Sequence, residues 1–132
     1  MEGMGVYFWA DGRRYEGQYH NDKKCGYGLY SWTDGRLYEG WWSKGKQHGL
    51  GTYLDPKKDK VKYGLWENGK RITWFDEQKI KLISQQTLDY TTFFTEPDSA
   101  NNVRPNSTFS KPADFDTKLN SIKRKLKVPE AA

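Results

Sequence analysis

A pattern of glycines and aromatic residues returns along the first half of the chain at a fixed spacing. The segment GMGVY at residues 3–7 returns as GYGLY at 26–30 and as GLGTY at 49–53, in two steps of 23 residues. A second segment, YEGQY at 15–19, returns as YEGWW at 38–42 after the same 23 residues. A constant period of this length indicates stacked copies of one small unit, each of which buries its apolar face against its neighbours.

Each copy is predicted to be a β-hairpin, because turn-forming pairs that end in glycine divide the array into strand-length runs. These pairs are Asp11-Gly12, Asp34-Gly35, Lys44-Gly45 and Asn68-Gly69. In the third hairpin a longer charged loop at residues 55–60 replaces the tight turn, and we expect it to project. The expected fold is mainly β, a single-layer twisted antiparallel β-meander of about six strands that occupies residues 1–75.

Strand alternation places the glycines and the rings of the array on the same side. Residues two apart in a strand point to the same face, so Tyr15, Gly17 and Tyr19 share one face. A glycine weakens a strand, and a ring that covers it from the neighbouring strand offsets this loss. Because only 35% of the residues are hydrophobic and 16% are aromatic, the rings must supply much of the buried area.

These segments resemble the MORN repeat (membrane occupation and recognition nexus). The pattern of that family runs Tyr-x-Gly-x-Trp/Tyr, a turn, and then Gly-x-Gly-x-Tyr/Phe, and residues 15–30 and 38–53 match it. A third copy, KYGLW at residues 62–66, is shifted by one inserted residue, and Thr73 stands where the next glycine would fall. The resemblance extends over the array and ends before the C-terminal part of the chain.

The resemblance implies an elongated twisted sheet that scaffolds other proteins. Similar arrays occur in radial-spoke head proteins of cilia, in protist cytoskeletal proteins and in membrane-contact proteins, and some are attached to kinases or a methyltransferase. We therefore expect a non-enzymatic scaffold subunit of a ciliary or cytoskeletal assembly. Two alternatives stay open: a module that binds anionic phospholipid (phosphoinositide or phosphatidylserine), and a regulatory fragment of a larger MORN-containing enzyme.

The residues themselves predict neither catalysis nor a bound cofactor. His20 and His48 are 28 positions apart and belong to no cluster with metal-ligand spacing, so no metal site is expected. Glu16 and Glu39 recur with the repeat, but strand alternation places them opposite the rings, where we expect them to be solvated. The single Cys25 excludes an internal disulfide. No signal peptide or membrane span is apparent, which favours a cytoplasmic protein.

Basic residues cluster in the predicted turns, and the chain has a formal net charge of +5. Stacked hairpins would align these side chains along the ends of the sheet. Such rows attract anionic lipid or acidic protein, but lysine at a sheet edge is also a common protection against aggregation. Nucleic acid is not expected as a partner, because the interleaved rings are required for folding.

The C-terminal part has a different composition. Residues 76–90 are predicted to form a capping helix or linker, with Ile80 and Ile83 turned inward. Residues 91–132 are predicted to be an extended polar tail, since residues 97–112 contain three prolines. Near residues 114–127 we predict a short amphipathic helix with a basic side, whose apolar stripe begins at Phe115. Such a helix suits a groove on a partner or an anionic membrane.

The predicted partner contacts are divided between the sheet and this helix. On the sheet they are rings of a face that we expect to be concave, and on the helix they are basic side chains. The rings are Tyr15, Tyr19, Tyr38, Trp42 and Trp66, and the basic residues are Lys118, Lys123, Arg124, Lys125 and Lys127.

Overall fold

The computed structural model describes residues 2–104 and 107–126, with side chains up to residue 124 in the last helix. Of the predicted contacts, Lys127 and the side chain of Lys125 lie outside the described residues. Seven strands form one antiparallel sheet in which every strand pairs with its neighbours in sequence. They are β1 (Gly3–Phe8), β2 (Arg14–His20), β3 (Lys23–Ser31), β4 (Leu37–Ser43), β5 (Lys46–Asp55), β6 (Lys60–Glu67) and β7 (Lys70–Phe75).

This architecture confirms the predicted β-meander, with one more strand than the number expected. The extra strand is β7, which pairs with β6 after the Asn68-Gly69 turn. Its residues lack the Gly-x-Gly pattern of the earlier copies, so the repeat count alone did not require it.

Two kinds of turn alternate, one at each end of the sheet. At the first end, which we call the loop end, Trp9 and Arg13 flank a three-residue loop, and the Trp9 N–H donates to the Arg13 carbonyl at 2.9 Å. Gly12 closes that loop with a φ of +100°, which favours glycine. At the opposite end, which we call the lysine end, two-residue turns such as Asn68-Gly69 have positive φ at both positions, as tight hairpins require.

Tyrosine rings cover four of the strand glycines, two on the same strand as the ring and, as predicted, two on the neighbouring strand. A Cβ added at Gly17 would lie 2.6 Å from the Tyr15 hydroxyl, and one added at Gly40 would lie 2.7 Å from the Tyr38 hydroxyl. The hydroxyl groups of these rings also form hydrogen bonds. Tyr15 donates to the Gln18 carbonyl at 2.9 Å, and Tyr38 donates to the Trp41 carbonyl at 2.8 Å. Glycine is therefore needed at these positions for space.

The inserted residue changes the third copy. Tyr53 pairs with Lys62, so Lys62 occupies the position that tyrosine holds in the first two copies. Tyr63 turns to the opposite face and packs against Phe109, with 5.3 Å between the ring centroids. The glycine of this copy, Gly64, is instead approached by Trp74 and Trp66.

The C-terminal part folds back over the face of the sheet opposite the tyrosines. It contains α1 (Glu77–Ser84), α2 (Phe115–Leu126) and two short 3-10 helices, Tyr90–Phe93 and Ser99–Asn102. The predicted extended tail is therefore wrong for most of the described part, because apolar side chains of this segment join the core of the sheet. The buried members of that core are Tyr27, Trp41, Leu50, Leu65, Phe75, Ile83, Tyr90, Phe115 and Leu119.

Helix α1 is shorter than the predicted helical segment. The Asp76 side chain caps it by accepting from the Lys79 N–H at 2.9 Å. The helix ends at Ser84, because Gln86 adopts a left-handed φ of +59°. Ile83 is buried and Ile80 is half-buried, so both predicted apolar contacts point inward.

Helix α2 begins at the predicted Phe115 and packs against β1 and β2. The expectation that Glu16 is solvated is wrong, because α2 covers this side chain and leaves it only 4% exposed. The Glu16 carboxylate pairs with Arg14 Nε at 3.0 Å and with Lys123 Nζ at 3.0 Å. The burial of Glu16 follows from the packing of a helix that is distant in sequence.

Candidate interaction surface

One face of the sheet is a continuous layer of aromatic side chains, which we call the ring face. Its buried members form a cluster built only from strand residues, with further rings packed around them. The buried rings are Tyr15, Tyr19, Tyr30, Tyr38, Trp42 and Trp66, and the partly buried ones are Trp9, Trp32, Tyr53 and Trp74. The cluster on the opposite face, by contrast, includes the C-terminal segment. The two faces therefore differ in what packs on them.

Edge-to-face contacts hold the ring face together. Trp42 lies between Tyr15 and Tyr38 with both ring centroids at 5.4 Å and both interplanar angles close to perpendicular. Tyr38 then contacts Trp66 at 4.8 Å. This is the geometry that aromatic quadrupoles prefer. Burial raises the pKa of the Tyr15 and Tyr38 hydroxyls well above the ordinary range, so both stay neutral donors.

The five rings predicted as partner contacts form the floor of this surface. Tyr15 and Tyr38 are fully buried, and Tyr19, Trp42 and Trp66 are each less than a tenth exposed. Tyr7, which the sequence reasoning left out, is 45% exposed, and Trp9 and Trp32 are half-buried. Tyr7 is exposed because β1 is an edge strand, whereas Tyr30 at the same repeat position lies between two strands and is buried. Trp9 and Trp32 lie just beyond the strand ends, at the loop end.

Two grooves lie on the ring face, one repeat apart. Groove A has a volume of about 370 Å³, and groove B has a volume of about 260 Å³. Groove A is lined by Tyr7, Trp9, Tyr19, Asp22, Lys23, Lys24, Lys44 and Gly45, and groove B is lined by Tyr30, Trp32, Trp42, Gly45, Lys46, Gln47 and Gly69. Most lining positions correspond at the 23-residue period, as Trp9 and Trp32 show. The repeat therefore produces two grooves with similar linings.

The grooves differ in charge, because groove A is lined by Lys24, Lys44 and Asp22, which have no charged counterpart in groove B. The Lys24 ammonium in groove A lies 5.3 Å from the Trp9 ring centroid, and also within 6 Å of those of Tyr15, Tyr30 and Trp42. Cation–π attraction favours this placement. Burial, and then the charge of Arg13, lower the pKa of Lys24 below its ordinary value. Gln47 holds the corresponding position in groove B.

The two ends of the sheet carry different charge arrangements. At the loop end, Arg13 pairs with Asp11 and Arg36 pairs with Asp34, each at 2.7 Å. At the lysine end, Lys23, Lys44 and Lys46 have no carboxylate within ion-pair distance among the described residues. Positive charge is therefore partly neutralised by ion pairs at the loop end, whereas at the lysine end these three lysines outnumber the nearby carboxylate of Asp22.

A buried carboxylate fastens the C-terminal segment to the sheet. Glu67, at the end of β6, accepts hydrogen bonds from the Thr95 N–H at 3.1 Å, the Glu96 N–H at 3.0 Å and the Ser99 hydroxyl. Burial opposes ionisation of this group, but these hydrogen bonds outweigh it and lower the pKa of Glu67 to about 2. The carboxylate is therefore charged at neutral pH.

His48 supports the same attachment. Its Nδ1 accepts from the Asn68 N–H at 3.0 Å, so its Nε2 carries the proton and donates to the Ser99 carbonyl at 2.8 Å. The ring also stacks on Phe94 with 5.1 Å between centroids. We call Glu67, His48, Thr95 and Ser99 the clamp. Sequence analysis did not identify it, because its members are far apart in the chain.

The predicted basic cluster of α2 is partly engaged within the chain. Lys118 pairs with Asp114 at 2.8 Å, and Lys123 pairs with the buried Glu16. Arg124 is exposed. The apolar side of the helix lies on the sheet, because Phe115 and Leu119 are buried. The part of α2 whose side chains are described, up to residue 124, thus places its apolar side on the sheet and not toward a groove or a membrane.

The described residues contain no group of histidine, cysteine and carboxylate side chains that could hold a metal ion. None of the helices in that part of the chain is long and apolar enough to cross a membrane.

Comparison with protein families identifies three consecutive matches to the MORN repeat, at residues 1–13, 15–35 and 38–60. The matched segments contain nearly all residues of β1 to β5 and therefore most of the ring face, including the aromatic walls of both grooves. The comparison with curated proteins finds no match.

Proposed function

Because the chain is a MORN repeat protein, we propose that it is a non-enzymatic scaffold subunit that binds a partner protein through the ring face. MORN repeats are modules that interact with proteins or membranes. The observation that supports binding at this face is its contrast with the opposite one: the C-terminal segment covers one face, while grooved aromatic surface remains on the other.

Outer rings are well suited to a protein contact. Tyr and Trp are enriched among the residues that contribute most to binding energy, because they bury large area with few rotatable bonds. Tyr7, Trp9 and Trp32 stand on a rigid floor of buried rings, so little further ordering is needed when a partner binds. A cytoplasmic assembly of the cytoskeleton or the ciliary axoneme is the setting that the family resemblance favours.

The matched pair Tyr7 and Phe8 tests this proposal. They are neighbours on β1, point to opposite faces and are 45% and 52% exposed. We expect Tyr7→Ala to reduce the recovery of proteins that co-purify with the tagged chain by about fivefold, which is roughly 1 kcal/mol. Phe8→Ala should leave recovery within about twofold. Equal losses in both variants, or none in either, would place the contact elsewhere.

The lysine end supports a second candidate, an anionic membrane surface. Lysines near a charged leaflet each add about 1 kcal/mol of attraction. Sedimentation with phosphatidylserine vesicles at physiological salt separates the candidates, because membrane binding through Lys23, Lys44 and Lys46 weakens steeply with added salt. Strong sedimentation that persists in Tyr7→Ala would favour the membrane over a protein partner.

A further inference from the structure

We propose that grooves A and B together bind one acidic segment of a partner protein in the polyproline II conformation. This inference rests on the proposed function and names the chemistry of the partner at the same face. The spacing of the grooves, the rings that line them and the lysines around them support it.

The spacing follows from the repeat. Each repeat contains two strands, and neighbouring strands lie about 4.8 Å apart, so equivalent points in the two grooves are about 9.6 Å apart. A polyproline II helix has three residues per turn and rises about 3.1 Å per residue. Every third side chain therefore points to the same side at intervals of about 9.3 Å. A segment that crosses the strands in this conformation can place one residue in each groove.

A β-strand does not meet this requirement. Its same-side residues are two or four positions apart, at about 6.6 Å or 13 Å, and neither spacing matches the grooves. An α-helix returns to the same side after seven residues, about 10.5 Å along its axis. The helix is therefore the competing conformation for the experiment.

The groove walls also suit a proline-rich backbone. Tyr7 and Trp9 line groove A, and Tyr30 and Trp32 line groove B. Grooves walled by such rings bind polyproline II segments, since proline rings pack on the aromatic faces and no ordering of a flexible ligand is required. Among the described residues, the indole N–H groups of Trp9 and Trp32 have no acceptor, which leaves both available to donate to carbonyls of the bound segment.

Charge selects an acidic ligand, and it does so more strongly in groove A. Three lysines, Lys23, Lys24 and Lys44, line that groove beside a single carboxylate, Asp22, so positive charge exceeds negative charge there. The contacts with four rings hold the Lys24 ammonium in place. In groove B, Gln47 replaces the equivalent lysine and Lys46 lies at the side. The segment should therefore place a carboxylate in groove A, where it is attracted more strongly than a second carboxylate three positions away in groove B.

Fluorescence anisotropy with labelled synthetic peptides tests the conformation and the charge separately. The probe is a peptide of about twelve residues built from Pro-Pro-Glu triplets. Three comparison peptides of equal length have Gly-Gly-Glu triplets, Pro-Pro-Lys triplets, or a helix-forming Glu/Ala sequence. We expect the probe to bind at least about tenfold more tightly than each of the others. Equal affinity for the flexible or the helical peptide would overturn the proposal.

Protein variants locate the binding site. The pair Lys23→Gln with Lys44→Gln should weaken binding of the probe about fivefold. The control pair, Lys57→Gln with Lys58→Gln, makes the same charge change at the loop end and should alter binding less than about twofold. Gln47→Lys gives groove B the lysine that Lys24 supplies in groove A, so it should strengthen binding of the probe about threefold. A circular dichroism spectrum and a melting curve establish that each variant is folded.

The outcomes distinguish this inference from the proposed function. If no peptide binds but Tyr7→Ala still releases the natural partner, the inference fails and the proposed function stands. If phosphatidylserine vesicles bind through the same lysines and no peptide binds, the ligand of this surface is a membrane, and the inference is overturned. If the probe binds as expected and Tyr7→Ala retains the natural partner, the grooves bind such a segment but the proposed function fails.

Discussion

The aromatic residues of the ring face form two groups: those that are buried within it and those that are partly exposed on its surface. Tyr15 and Tyr38 each cover two strand glycines and donate to a backbone carbonyl, so their packing contacts and their hydrogen bonds lie within the sheet. Tyr7, Trp9 and Trp32 rest on that layer and keep part of their surface in solvent. The same residue types thus stabilise the middle of the sheet and, at Tyr7, Trp9 and Trp32, remain partly exposed for the partner contact that we propose.

Gly51 provides the residue-scale test of this arrangement. A Cβ at this position would lie 2.5 Å from Tyr38 Cε2, so Gly51→Ala should reduce the free energy of unfolding by about 1–3 kcal/mol through overpacking. In a Tyr38→Leu background, where the ring is absent, the same change should cost at least about 1 kcal/mol less. Urea unfolding of the four proteins gives both values. Additive losses would mean that the ring does not restrict this position.

At the scale of elements, the C-terminal segment is attached at sites that are far apart on the sheet. The clamp connects β6 to the segment near residue 95, the Trp41 indole N–H donates to the Thr108 carbonyl at 2.8 Å, and α2 packs across β1 and β2. Each attachment pairs a strand residue with a partner many positions later in sequence. The cover is therefore a consequence of several long-range contacts rather than of one strongly apolar helix.

The clamp predicts a specific dependence of stability on pH. The pKa of Glu67 falls from an ordinary value of 4.5 to about 2 in the folded chain. A lowered folded-state pKa stabilises the fold above the unfolded-state value, and the contribution is lost as pH falls from about 5 toward 2. Glu67→Gln should remove this part of the dependence. It should also lower stability at neutral pH by about 1–3 kcal/mol, because the amide replaces a charged acceptor.

Melting temperatures measured at intervals between neutral pH and pH about 2.5 check this prediction. The wild-type curve should fall more steeply than the Glu67→Gln curve in the acid range, and the two should converge at the lowest pH. Parallel curves would show that Glu67 has the same pKa in both states.

At the scale of the whole molecule, the two faces of the sheet differ in what covers them. One face is closed by the chain itself, with Phe115 and Leu119 buried under α2. The other keeps the repeated grooves. Because residues on the two sides of a strand alternate, a change on one face need not alter the side chains on the other.

Release of α2 tests this separation. Phe115→Ala removes a buried ring, and the large loss of packing should free the helix, so tryptic cleavage in α2 should become at least about tenfold faster. The recovery of ring-face partners should remain as in the wild type. Asn120→Ala, an exposed position on the same helix, is the matched control. Loss of partner recovery in Phe115→Ala alone would show that the faces are coupled.

The local pattern of the sequence determined the repeat, the hairpins and the division into ring-bearing and opposite faces. These features depend on neighbours: turn residues fix where strands end, and alternation fixes where each side chain points. The start of α2 was also predictable, since its apolar stripe and the preceding Asp114 are local signals. The rings of the ring face were found for the same reason, although their exposure was not.

Only the tertiary structure decided which rings remain accessible to solvent and what covers the opposite face. It also decided which groups the buried carboxylates of Glu16 and Glu67 bind. Glu67 and Ser99 are 32 positions apart, and His48 and Ser99 are 51 apart. No periodicity connects such residues, because the hydrogen bonds form only after the segment between them has folded back. The position of Tyr63 has the same origin, since pairing of Tyr53 with Lys62 determines its face. Burial is a property of the assembled packing, and a repeat pattern specifies only which side of the strand a residue is on.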